Sequence, residues 1–252
     1  MGAFNMEKVN EVFNYIFTFL ILNILFWLFD FPIIAFVAAF GISWEVIKQY
    51  YPVLIICLIP MGPALCALFH CMNRLIRDKE IGWIKDFWKG YKRNFIPSFL
   101  TAIVQALIVC MLVTNIDFFV SAVPELVYVF LILLLVVILS IPTAYLLIMK
   151  FEMRPYQLLK ATITITFAKP ACTIGNAAAF LVMLILFGFS AGTTILFVSS
   201  VYAFLVVFMN QKMLAELAGE DAKKEQASEE MTNEGTETHI YMEQDSAKDH
   251  ET

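Results

Sequence analysis

Charge is scarce in this chain, and what charge there is falls in a few places. Only 15% of the 252 residues are Asp, Glu, Lys or Arg, against roughly 25% in an ordinary soluble domain. Catalytic signatures are missing as well. There is no GxSxG elbow, no HExxH, no P-loop and no pair of aspartates within an apolar run, so the residues argue against an enzyme. The five cysteines, Cys57, Cys66, Cys71, Cys110 and Cys172, form no CxxC pair and fall in or beside apolar runs. Buried cysteine behaves as a small hydrophobe, so neither a disulfide framework nor a thiolate metal site is expected. His70 and Cys66 lie four residues apart, on one helix face, but two ligands are too few for a metal. No cofactor is expected.

Apolar sequence fills the space. The chain is 60% hydrophobic and 15% aromatic, with 24 phenylalanines, beyond the roughly 45–50% apolar content of soluble domains. Runs of about 20 apolar residues match the thickness of a bilayer. The reading is an all-α membrane protein: a polytopic bundle of about six transmembrane helices, with spans near 13–39, 52–72, 96–116, 124–149, 172–189 and 192–210 in a transmembrane domain over 1–215. The first run, Phe13 to Phe40, is too long for a signal-peptide core of about 7–15 residues and reads as a retained helix. Residues 174–208 would extend about 52 Å as one helix, too long for a hydrocarbon core of about 30 Å. Gly188, Ser190 and Gly192 offer a turn, which favours two short helices.

Lysine and arginine then set the orientation. One connection holds Arg74, Arg77, Lys79, Lys85, Lys89, Lys92 and Arg93, and a second holds Lys150, Arg154, Lys160 and Lys169. With both in the cytoplasm and six crossings, both termini are cytoplasmic, and of the 17 basic residues only Lys48 is left outside. That is a strong positive-inside pattern. From Glu216 onward twelve acidic residues face only Lys223, Lys224 and Lys248, so residues 216–252 read as a disordered acidic cytoplasmic tail.

Three local features carry candidate function. Pro60-Met61-Gly62-Pro63 interrupts the second span, and a helix break at membrane depth persists only where protein or water satisfies the freed carbonyls. It reads either as a wall of a substrate path or as a kink for close packing by Gly62, Ala64 and Ala67. In the first span Asn23 and the Asp30-Phe31-Pro32 break are the polar candidates. An intramembrane carboxylate suggests function by default, but Asp30 falls near the outer interface, where it reaches water or caps the broken helix. Asn23, Asp30, Pro60, Gly62 and Pro63 are thus the candidate path residues. The third feature is an amphipathic stretch, Ile81 to Phe95, in which Ile84, Phe87, Trp88, Tyr91 and Phe95 recur at helical spacing opposite Lys85, Lys89, Lys92 and Arg93. It predicts a short cytoplasmic helix on the anionic inner leaflet, or a helix that a partner grips. Trp83, Lys85, Phe87, Trp88, Lys89, Tyr91, Lys92 and Arg93 are its docking candidates. The basic loops lack the interleaving expected of a nucleic-acid surface.

Asn23-Ile24-Leu25-Phe26-Trp27, Phe31-Pro32-Ile33, Gly62-Pro63-Ala64 with Ala67-Leu68, and Phe87-Trp88-Lys89-Gly90-Tyr91-Lys92-Arg93-Asn94-Phe95 together resemble the YesL-like membrane proteins, a domain of unknown function, over roughly residues 5–210. In that family the proline of the first helix runs almost directly into the glycine-proline pair, whereas here residues 34–61 intervene and supply an additional span. The resemblance implies a bacterial plasma-membrane protein, often encoded beside carbohydrate ABC transporters, with no assigned catalytic residue. The function expected is a non-enzymatic accessory component of carbohydrate transport, with transporter subunits as possible partners. The alternatives are a permease with its path at the two broken helices, or a structural envelope protein.

Overall fold

The computed structural model describes residues 6–41, 43–79, 81–151, 155–189 and 195–219, and every regular element among them is an α-helix. In chain order these are α1 (Met6–Phe29), α2 (Phe31–Phe40), α3 (Trp44–Cys57), α4 (Met61–Asp78), α5 (Trp83–Ala122), α6 (Pro124–Lys150), α7 (Pro155–Ala168) and α8 (Pro170–Phe189), then α9 (Val198–Gly219). Four of them, α5, α6, α8 and α9, are long and apolar enough to cross a membrane alone. Two bent pairs, α1 with α2 and α3 with α4, bring the number of possible spans to six.

Proline makes both bends. Pro32 has no N–H to offer the preceding turn, so α1 closes with the Asp30 amide donating to Phe26 O, and α2 opens with the Ile33 amide donating to Asp30 O. The axis turns by 71°. Between α3 and α4 the chain tightens into three-residue hydrogen bonds, Met61 N to Leu58 O and Gly62 N to Ile59 O, and turns by 57°. Pro60 sits at the N-cap of α4 and Pro63 in its first turn, where the missing donors have no helical partner to lose. Residues 34–61, expected to supply an additional span, hold most of α2, all of α3 and the turn into α4, with α2 and α3 packed ring on ring through Phe40 and Tyr50 at 4.9 Å. Tyr51 and Thr114 hydroxyls hydrogen-bond at 3.0 Å, tying α3 to α5.

The interior centres on two helix segments buried on every side, Gly62–Phe69 of α4 and Pro142–Met149 of α6. They meet where Cys66 Sγ donates to Tyr145 O and where Gly62 abuts the Tyr145 hydroxyl. Outside, the pattern of a soluble protein is reversed. Phe13, Leu28, Leu107, Met111, Tyr128, Ile132 and Phe189 are exposed, while Asn23, Asp30, Asp86, Asn94, Asn176 and Asn210 are buried. Apolar side chains turned outward suit acyl chains, and polar ones turned inward suit interhelical hydrogen bonds. Asn176 shows the second case, donating to Thr143 Oγ1 and accepting from Asn210 Nδ2.

Several boundaries depart from expectation. The amphipathic stretch is not a separate short helix: it is the first part of α5, a continuous 40-residue helix about 60 Å long. The 150–170 connection is largely helical, as α7. The apolar stretch 174–208 is indeed divided, since α8 ends at Phe189 and α9 begins at Val198; Ser190 and Gly192 lie outside the described residues. The chain divides into two units between Asn210 and Gln211. In the second, Glu216 to Gly219 are helical rather than part of a disordered tail, and the remainder of that tail lies outside the described residues.

Candidate functional site at the two helix breaks

The two broken pairs border one cavity of about 390 Å³. Phe26, Trp27, Asp30 and Ile33 reach it from the first break, and Leu58, Met61 and Leu65 from the second. The rest of the wall comes from α6, α8 and α9, including Asn176, Phe180 and Tyr202. A volume of this size is typical of small-molecule sites.

Asp30 is its most unusual member. Its exposure is 1%, so it neither reaches water nor lies free at an interface. It occupies the N-cap position of α2, yet its side chain makes no capping bond. Oδ1 is buried with no hydrogen-bond partner among the described residues, and the same holds for Trp27 Nε1 on the preceding turns. The other candidate path residues do not join it. Asn23 turns to α9 instead: its Nδ2 donates to Ile195 O at 3.0 Å and its Oδ1 accepts from Ser199 N at 3.1 Å. It thus caps the entry to α9 from another helix, satisfying donors and acceptors left open at a helix start. Pro60 and Pro63 shape the second break without lining the cavity. Gly62 borders a smaller one of about 180 Å³ with Gln105 and Tyr145, where a Cβ would stand 2.7 Å from the Tyr145 hydroxyl and 2.8 Å from Ala102 Cβ. At Gly62 the packing reading therefore describes the contacts.

The docking candidates divide in two. Phe87 is 1% exposed, and its ring lies 5.5 Å from Phe29 of α1, with Tyr91 at 4.6 Å from the same ring. Trp83 donates from Nε1 to Thr18 Oγ1 at 2.9 Å. These three hold α5 to α1 rather than offering a free face. Ile84, Lys85, Trp88, Lys89, Lys92 and Arg93 stay exposed, with Phe95 and Ile96 beyond them. The outer face of α5 is thus a ridge of mixed cations and large apolar groups.

Two contacts that anchor this ridge were not visible beforehand. Asp86, buried on the inner face of α5, accepts from the Gly82 amide at 2.8 Å and from the Arg74 guanidinium of α4. Gly90 lies so close to α4 that a Cβ would meet His70 at 3.0 Å. The signal for Asp86 was its place in the first turn of α5, where a carboxylate suits the helix dipole; nothing local marked Arg74 as its partner. All five cysteines are free thiols.

Residues 19–116 match the family described as "Protein of unknown function, DUF624". The matched stretch holds both helix breaks, Asp30 and the whole ridge of α5. No curated protein and no solved structure matches the chain.

Proposed function

We propose that this is a non-enzymatic, YesL-like protein of the bacterial plasma membrane that serves as an accessory component of carbohydrate transport of the ABC type. The observation that carries this reading is the outer ridge of α5. Lys85, Lys89 and Lys92 alternate there with Ile84 and Trp88, all exposed, while Asp86, Phe87, Gly90 and Asn94 on the opposite face are buried. A rigid helix anchored on one side and amphipathic on the other suits the headgroup region of an anionic leaflet, or a partner helix lying in it. In this reading the ridge and both termini are cytoplasmic, following the positive-inside rule. A photocrosslinker at Trp88 in native membranes tests the proposal. Recovery of a transporter membrane subunit, lost when Lys89 and Lys92 are both changed to Glu, is the expected result; recovery of the protein with lipid alone contradicts it.

A second reading, a permease in its own right, draws on the cavity between the two broken pairs, since discontinuous helices border substrate sites in many transporters. Reconstituted vesicles in which solute uptake depends on Asp30 would favour it over the accessory role.

A further inference from the structure

We propose that the cavity at the two helix breaks binds an organic cation, an ammonium group carrying an apolar body, with Asp30 as its counter-charge. The proposal concerns this cavity alone and holds whether the protein moves a solute itself or assists another carrier.

Charge and lining point the same way. Asp30 is buried, and its Oδ1 has no partner among the described residues. No lysine, arginine or histidine is among the described residues that line the cavity, so none of these residues supplies a neutralising cation there. A carboxyl held in an apolar interior without a partner is either neutral or matched by a counter-ion from outside, and a bound ammonium group supplies that match. The walls suit a cation with hydrocarbon attached. Phe26, Trp27, Phe180 and Tyr202 contribute aromatic rings, whose faces attract ammonium groups most strongly where water is excluded, and the remaining wall is mainly leucine, isoleucine, methionine and valine. A carbohydrate fits poorly. Its hydroxyls need several hydrogen-bond partners, but the Asn176 amide is already engaged with Thr143 and Asn210. That leaves few polar groups around a volume of about 390 Å³.

The test is equilibrium binding of radiolabelled benzyltrimethylammonium to the full chain in nanodiscs made of phosphatidylglycerol only, so that no lipid ammonium competes. Saturable binding is expected, with neopentylbenzene, the uncharged carbon isostere, competing at least roughly tenfold less well. Asp30→Asn keeps the shape and removes the charge, and is expected to weaken binding by roughly tenfold or more. Absence of saturable binding, or equal competition by the uncharged isostere, overturns the proposal, and so does undiminished binding by a folded Asp30→Asn protein. The competition arm uses only the native chain, so it decides the matter even if Asp30→Asn does not fold. Repeating the measurement with phosphatidylethanolamine in the discs separates two sources of the same chemistry: displacement assigns the site to a lipid headgroup, and unchanged binding to a free solute.

Discussion

Asn23 illustrates how much of this protein rests on single polar contacts between distant parts of the chain. Its amide joins α1 to the start of α9 through Ile195 and Ser199, and in a low-dielectric interior the backbone groups it satisfies have few other partners. Asn23→Leu is expected to lower stability by about 1–2 kcal/mol, read as a lower unfolding midpoint in detergent. At Gly62 the contact is steric. A methyl there meets the Tyr145 hydroxyl and Ala102 Cβ inside 3 Å, so Gly62→Ala should cost about 1–3 kcal/mol by overpacking. Close packing at Gly62 was one of the two readings the sequence allowed, whereas the bridge made by Asn23 was not legible. A glycine beside prolines announces a break, and an asparagine in an apolar run announces a polar partner, but the identity of that partner depends on a fold that brings residue 23 to residue 199.

At the scale of elements, the junction between α4 and α5 has the most distinctive local geometry. Lys79 closes α4 in the left-handed region, at φ 58°, a conformation that costs a residue with a Cβ roughly 1 kcal/mol or more. Lys79→Gly is therefore expected to stabilise the protein by about 0.5–1 kcal/mol, seen as a higher unfolding midpoint. Asp86 holds the other side of the junction through Gly82 and Arg74. Asp86→Ala should cost about 1–3 kcal/mol, because the Gly82 amide loses its acceptor; Arg74 is partly exposed and recovers some solvation. Faster amide hydrogen exchange at Gly82 and Trp83 would report that loosening. Apolar run length sufficed to pick out the helices long and apolar enough to cross a membrane, since hydrocarbon thickness constrains it directly. Continuity was harder to see: the charged start of α5 reads as a surface helix, yet the same helix carries on past Pro97 into the apolar run. The α7 segment, Ala161-Thr162-Ile163-Thr164-Ile165-Thr166, has no helical stripe, and its helix packs chiefly against α6 and α8.

For the whole molecule, the outward-facing phenylalanine, leucine and isoleucine surface and the buried amides place the protein among multi-pass membrane proteins independently of any hydropathy plot. The prolines at residues 32 and 60 signalled two breaks in the sequence, but only the folded chain sets both against one cavity and leaves Asp30 facing it. Asp30 was legible as a rare intramembrane acid. Its burial was not, because distance along one helix says nothing of the 71° bend that follows it or of the helices packed around it.

The side of the membrane that the basic connections occupy fixes the orientation of every helix and of the α5 ridge. With the five native cysteines replaced, Lys48→Cys in the first half of α3 and Gly82→Cys between α4 and α5 place single thiols on segments assigned to opposite faces. An impermeant maleimide should modify Lys48→Cys in intact cells and Gly82→Cys only after the membrane is opened. Modification of Gly82→Cys in intact cells would contradict the assignment and turn the α5 ridge away from the cytoplasm.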